Sequence, residues 1–270
     1  MDAIRAPLQG LAFLTRRFLK QERLQYVLGD QIVKLRLPGE VRYSDRWGYA
    51  GNAGLGDKLE VYRFIGMSFL SREARRHVRP GDWAIDVGAN IGAVTAELCS
   101  LTGERGHVWA IEPIPSNLSR LQELKELNQL KYLTIFEGAL SNKTGSASIR
   151  LPQSGGSAYA SFTKSYGTEG EIDVPVWRLD DLVFDAGYSQ PVAFLKIDVE
   201  GFEFQVLEGA ERTLREMRPL VYCEFNDVLL RDAGASSVQL LRRFSDLGYF
   251  PVGAPAELDG KVIDLLLVRY

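Results

Sequence analysis

Cysteine and histidine are both scarce, with two of each among 270 residues. There is no CxxC and no Cys/His cluster, so zinc-ribbon and finger-type centres are excluded. Cys99 and Cys223 read as small core residues of a reduced, cytoplasmic protein rather than as a disulfide. His77 falls at a helix end and His107 at a strand start, which leaves a Ser-His-Asp triad or a histidine base without support. No apolar run reaches the roughly 18 residues needed to cross a bilayer. Leu8 to Leu19 is shorter, carries Arg16 and Arg17 and lacks a small-residue cleavage site, so no signal peptide is expected. That stretch reads as an amphipathic helix lying on the body, on a second subunit of a homodimer, or on a membrane surface. A basic excess is missing too. The 32 Lys and Arg against 35 Asp and Glu give a net charge of −3, and no nucleic-acid partner is expected.

What is present is an ordinary globular composition, 46% hydrophobic and 25% charged, with no internal repeat or low-complexity segment. The length suits an N-terminal accessory segment over 1–79, which shapes the substrate site, and a main domain over 80–270. The main domain is organised around Trp83 to Gly92, WAIDVGANIG. Ala84, Ile85 and Val87 suit a parallel strand covered on both faces, and Gly88 and Gly92 let the backbone approach a ligand. Gly88-Ala89-Asn90-Ile91-Gly92 departs from the dinucleotide pattern by placing Asn90 where a pyrophosphate loop has its second glycine. Asp86 beside the loop repels a diphosphate and attracts the ammonium of a methionine moiety. Glu112, 26 residues after Asp86, ends a second apolar run and is placed for ribose hydroxyls. Together these features favour S-adenosylmethionine over NAD.

Along the chain, Gln31 to Leu37 alternates like a half-buried strand, and Arg46 to Asp57 is a Gly- and Asn-rich irregular loop, a connector or a lid. Leu59 to Arg76 has helical periodicity. Strands and helices then alternate. Strands are expected over His107 to Glu112, Tyr132 to Glu137, Val192 to Asp198 and Leu220 to Phe225; helices over Ile91 to Leu101, Ser116 to Leu127, Phe202 to Met217 and Ser237 to Asp246. Ser146 to Leu151 and Ile172 to Trp177 interrupt the rhythm as a β-hairpin insertion that extends the sheet or covers the site, its Gly/Ser/Tyr-rich loop being either a site cover or a solvated tip. Tyr249 to Val252 pairs with Val262 to Arg269. The result is an α/β fold with a mostly parallel seven-stranded sheet whose last strand is antiparallel, the Rossmann-like class I methyltransferase architecture.

Phe194 to Glu203, FLKIDVEGFE, brings Lys196, Asp198, Glu200 and Glu203 to the carboxyl edge of that sheet. Lys196, Asp198 and Glu200 share one strand face, so Lys196 can hold Asp198 ionised while Glu200 faces substrate. The plainer alternative has Glu200 and Glu203 capping the next helix. Glu224 and Asn226 end the neighbouring strand, and with Asp198 they offer oxygens for a magnesium-type divalent metal or, equally, for a substrate hydroxyl.

The DVGANIG segment, Glu112-Pro113, Asn117, Val176 to Leu182, Lys196 to Glu203 and Glu224 resemble the signature of FkbM-type methyltransferases, over about Pro80 to Asn226. The resemblance implies S-adenosylmethionine-dependent O-methylation of a hydroxyl on a sugar or secondary metabolite, with S-adenosylhomocysteine as product. On this reading Asp86 anchors the methionine amine; Gly88, Ala89, Asn90 and Gly92 shape the loop; Glu112, Pro113 and Asn117 flank the ribose. Glu137 to Ser141, Gly138 and Ala139 among them, lie by the adenine. Asp198 or Glu200 takes the acceptor proton, with Glu224 third and Lys196 in support. Competing readings are a nicotinamide oxidoreductase, which would want a three-glycine loop; an RNA or protein methyltransferase; and a non-catalytic binding module, which would not need the acids at the two strand ends.

Overall fold

The computed structural model describes residues 70–152, 168–187, 190–253, 258, 260 and 262–269, with the backbone of five strands between 14 and 54. Its main sheet has the order β14-β15-β13-β12-β6-β7-β8. These are β6 (Trp83–Val87), β7 (His107–Glu112), β8 (Leu133–Glu137), β12 (Val192–Ile197), β13 (Leu220–Asn226), β14 (Tyr249–Pro251) and β15 (Val262–Arg269). All neighbours are parallel except β15, which runs antiparallel to β13 and β14. The direction of winding reverses between β6 and β12, and such a switch point opens a crevice at the carboxyl ends of the strands.

Every residue of β6 is buried, which is why it reads as an apolar run. On one face Ala84, Val108, Ala110 and Phe194 pack under α1 (Arg72–His77), α2 (Ala93–Thr102) and α3 (Pro115–Leu127). On the other, Ile85, Ile111, Leu195, Ile197 and Phe225 pack under α4 (Leu179–Asp185), α5 (Glu203–Gly209), α6 (Glu211–Glu216), α7 (Asp227–Asp232) and α8 (Ser237–Asp246). Truncating one such side chain to alanine costs about 2–5 kcal/mol. A row of rings, Trp83 to Trp109 at 4.8 Å and Trp109 to Phe136 at 4.7 Å, runs through this second core. Cys99 and Cys223 are both buried thiols.

The expected hairpin exists as β10 (Gly145–Pro152) and β11 (Thr168–Trp177), but it does not extend the main sheet. It forms a sheet of its own with β9 (Ala139–Leu140), in the order β10-β11-β9. The loop between its strands lies outside the described residues. The helix expected over Phe202 to Met217 is two helices, broken at Ala210 (φ −114°, ψ 7°). Asp180 stabilises the break by capping the second: its carboxylate accepts from Arg212 N (3.1 Å), Thr213 N (2.8 Å) and Thr213 Oγ1 (2.8 Å).

Two N-terminal expectations are corrected. Leu14–Lys20 is a strand, β1, not part of an amphipathic helix. It pairs with β2 (Arg23–Leu28), which pairs with β3 (Gln31–Arg36). An adjacent antiparallel partner favours the strand where periodicity alone is ambiguous. Within the segment expected to be irregular, Ala50–Gly54 forms β5 and pairs with β4 (Glu40–Ser44). Of the helix expected over Leu59 to Arg76, residues 72–76 are helical and 59–69 lie outside the described residues. Among the described residues no helix is long and apolar enough to cross a membrane.

Candidate active site

The turn after β6 is held from three sides. Gly88 N and Ala89 N both donate to the Ile111 carbonyl, at 3.0 and 3.1 Å. Gly88 has φ +77°, and a Cβ there would collide with the backbone carbonyl of Asp198, so glycine is what lets the turns after β6 and β12 touch. Asn90 (φ +52°) takes the left-handed conformation that asparagine tolerates better than most residues. Its N–H donates to Glu112 Oε2 at 2.8 Å. Gly92 then caps α2.

Glu112, ending β7, is 4% exposed. Besides Asn90, it accepts at Oε1 from Ile114 N and Asn117 Nδ2, both at 3.0 Å. Three of about four acceptor positions of a carboxylate are thus filled. Burial raises its pKa against the pull of these donors. Asn117 therefore orients Glu112, and half-buried Pro113 carries the chain from the strand end into α3.

Lys196, on β12, connects the two motifs. Its ammonium donates to the Gly88 carbonyl (2.8 Å) and lies 3.2 Å from Asp86 Oδ1 and 3.4 Å from Asp198 Oδ2. Burial alone would lower its pKa, but the Asp198 and Asp86 carboxylates outweigh it and hold the proton firmly. Asp86, expected to anchor the methionine amine, is fully buried and faces Lys196 and the Thr95 hydroxyl (2.7 Å) instead of the crevice. The Asp198 side chain is 40% exposed at the crevice.

The turn after β12 is locked by Glu203. Its Oε1 accepts from Val199 N (3.0 Å) and Gly201 N (3.1 Å), which precede α5, so Glu203 braces the turn and does not cap the first turn of that helix. Between those donors Glu200 is held at φ +54°, a conformation costly for a residue without a short polar side chain. Gly201 (φ +100°) presses on Leu229, where a Cβ would not fit. Burial, with Asp198 and Glu203 nearby, pushes the Glu200 carboxyl up to about 8. Glu203 is pushed to about 7 by burial, against the backbone N–H groups it accepts from, with Asp198 adding a smaller push.

Glu224, on β13, is pushed to about 9 by burial and by the Asp198, Glu200 and Glu203 charges. Its Oε2 is buried with no hydrogen-bond partner among the described residues. Asp264 on β15, which sequence reading missed, stands opposite Glu224 in register and accepts from the Tyr222 hydroxyl at 3.3 Å. No local sequence signal marks it, because only the antiparallel pairing of a distant tail strand brings it there.

Asn226 caps α7, accepting from Leu229 N at 3.4 Å. Among the described residues no group of three or more His, Cys, Asp or Glu is arranged to hold a metal ion. Gly138 and Ala139 are buried against the hairpin: a Cβ on Gly138 would strike Trp177, and Ala139 pairs with Val176. Glu137, beside Glu112 in register, is exposed.

This strand order, with a glycine turn after the first central strand and an acid ending the next, defines a class I S-adenosylmethionine-dependent methyltransferase. The chain belongs to the FkbM methyltransferase family, since the Methyltransferase FkbM domain matches residues 86–251. It is 28% identical over 173 residues to a hexuronic acid methyltransferase, AglP, of Haloferax volcanii, covering 63% of this chain and 68% of that one. It is 27% identical to Methyltransferase 1 of Beauveria bassiana, over 47% of this chain and 57% of the relative. A crystal structure of an FkbM methyltransferase from Methylobacillus flagellatus KT aligns with a TM-score of 0.45 and 20% identity, over 78% of this chain and 52% of that one.

Proposed function

We propose that this chain transfers a methyl group from S-adenosylmethionine to a hydroxyl oxygen of a small molecule or sugar. One observation carries the reading: Glu200, in the turn after β12, and Glu224, on β13, are acids of raised proton affinity that share Asp198 as a neighbour, and Asp198 pairs with the same Lys196 that braces the glycine turn. An alcohol acceptor needs a proton acceptor as its oxygen attacks, and a carboxylate raised toward 8 or 9 is stronger in that role than an ordinary one. The name of the haloarchaeal relative supports a sugar acceptor.

The residues suit the cofactor. One lysine offsets several carboxylates, so the rim favours a cation, and Glu112 keeps one acceptor position for a ribose hydroxyl. When bound, the cofactor would supply an activated sulfonium methyl for transfer to an acceptor oxygen, the C–S bond breaking as the C–O bond forms and S-adenosylhomocysteine leaving. Asp198, exposed at the crevice and held by Lys196, takes the methionine ammonium in place of Asp86. Asp86 and Lys196 position the glycine turn from below it. Glu200 receives the acceptor proton, and its left-handed backbone is fixed by the grip of Glu203 on the turn. Alignment of the reacting atoms contributes several kcal/mol of the barrier.

A hydroxyl-acceptor panel assayed for S-adenosylhomocysteine release, with NAD as a binding control, tests the reading. Methyl transfer to an oxygen that falls about 10²–10⁴-fold in Glu200→Gln is expected. Transfer to nitrogen or carbon only, or NAD binding in place of S-adenosylmethionine, would sink it.

A further inference from the structure

We propose that Thr95, in the first turn of α2, is a positioning residue for cofactor binding. Its hydroxyl holds the Asp86 carboxylate in the orientation that lets one Lys196 ammonium brace both the glycine turn and Asp198. The inference rests on the cofactor site described above and not on which atom of the acceptor is methylated.

Local structure sends this hydroxyl to the strand. A helical threonine commonly returns its hydroxyl to the carbonyl four residues back, and Thr102 in the same helix does so, donating to the Leu98 carbonyl at 3.0 Å. Thr95 lies close after the Gly92 cap, so the residue four back, Ile91, stands outside the helix. Its hydroxyl donates instead to Asp86 Oδ2 at 2.7 Å, and both residues are closed to solvent.

That contact decides how the carboxylate is shared. Among the described residues no aligned hydrogen bond reaches Asp86 Oδ1; the Lys196 ammonium faces it from 3.2 Å as an ion partner. The Thr95 hydroxyl is therefore what fixes the plane of the group. With Oδ2 occupied, the ammonium meets Oδ1 while donating to the Gly88 carbonyl at 2.8 Å and lying 3.4 Å from Asp198 Oδ2. A buried carboxylate oxygen stripped of its donor is costly, and the donor already beside it is Lys196. Without the hydroxyl the carboxylate turns toward that ammonium and draws it off the Gly88 carbonyl. The glycine turn then loses its support from β12, although every charge of the site is still present. The turn keeps its bonds to the Ile111 carbonyl, so the loss is partial. Thr95 thus acts on the cofactor through Asp86 and Lys196, from inside the core.

The test measures binding of S-adenosylmethionine and S-adenosylhomocysteine to the full chain by calorimetry, well below the melting temperature. Thr95→Val keeps the shape of the side chain and removes the hydroxyl. Its dissociation constants for both ligands are expected to rise about tenfold, the lower end of what a hydrogen bond to a charged group contributes. Thr95→Ser, which keeps the hydroxyl, should restore most of the affinity. In an Asp86→Asn background Thr95→Val should add much less, because residues that act as one unit are not additive. A purely structural role would lower the melting temperature and leave the constants of the folded chain unchanged. Should Thr95→Val fail to fold, Thr95→Ala and Thr95→Ser make the same comparison, since they differ in the hydroxyl alone. Parental affinity in the variant lacking the hydroxyl, an equal loss in Thr95→Ser, or an undiminished loss in the Asp86→Asn background overturns the assignment and leaves the methyl-transfer reading intact. A parent chain that binds neither ligand overturns both.

Discussion

Lys196 and Asp86 meet at 3.2 Å on adjacent strands, in register, both closed to solvent. The pair ties together two sequence motifs more than a hundred residues apart, since the same ammonium also grips the Gly88 carbonyl and Asp198. A buried ion pair adds little net stability, but removing one partner leaves an uncompensated charge in the core. Lys196→Met should therefore lower unfolding free energy by about 3–5 kcal/mol in urea titrations. Asp86→Leu combined with Lys196→Met should regain most of it, yet bind cofactor weakly in calorimetry because the glycine turn is no longer braced. Full cofactor affinity in that double variant would show that the turn does not need the pair.

The acids at the rim make the empty fold sensitive to alkali. Folded, Glu203, Glu200 and Glu224 hold protons up to about 7, 8 and 9, against an ordinary value of 4.5 for each. Between those limits the folded chain binds more protons than the unfolded one, so stability is fully present at low pH and falls as pH rises toward 9. Thermal melts of the ligand-free chain should decline over this range, and Glu224→Gln should flatten the decline. A melting temperature that climbs between pH 5 and 9 would contradict the clustering of these groups.

The same acids couple cofactor binding to protons in the opposite sense. A cation entering the crevice favours the carboxylate forms, so S-adenosylmethionine should release protons on binding and bind more tightly as pH rises from 6 to 9. Calorimetry in two buffers of different ionisation enthalpy reads the proton count directly. Equal heats in both buffers would mean that the cation does not reach Glu200 or Glu224.

The sheet could be foreseen because strands covered on both faces must be apolar throughout; Trp83 to Val87 and Val108 to Ile111 announce themselves for that reason. Other features depend on partners remote in sequence. Asp86 at a strand end suggests a ligand, and only the register with Lys196 on β12 turns it inward. Asp264 gains its meaning from Glu224 across an antiparallel pair. The break at Ala210 depends on Asp180, thirty residues earlier, whose place in the Val176 to Leu182 segment gives no sign of helix capping. Leu14–Lys20 carries both periodicities, and the neighbouring strand decides between them.

Glu203 and Asp180 separate positioning from folding. Glu203→Ala strips the acceptor from Val199 N and Gly201 N and frees Glu200 from its left-handed backbone. Leaving such buried donors unsatisfied costs about 1–3 kcal/mol. The kcat should fall well beyond any change in the KM for S-adenosylmethionine, with Glu203→Gln, which keeps an acceptor oxygen, restoring much of it. Asp180→Ala also removes buried hydrogen bonds, from Arg212 N, Thr213 N and the Thr213 hydroxyl, and should cost a comparable 0.5–2 kcal/mol as a lost helix cap. It lies outside the crevice, so kcat and KM should stay near those of the parent below the melting transition. If both variants lose stability and kcat together in equal measure, the turn after β12 contributes to folding alone, and the left-handed Glu200 has no special part in catalysis.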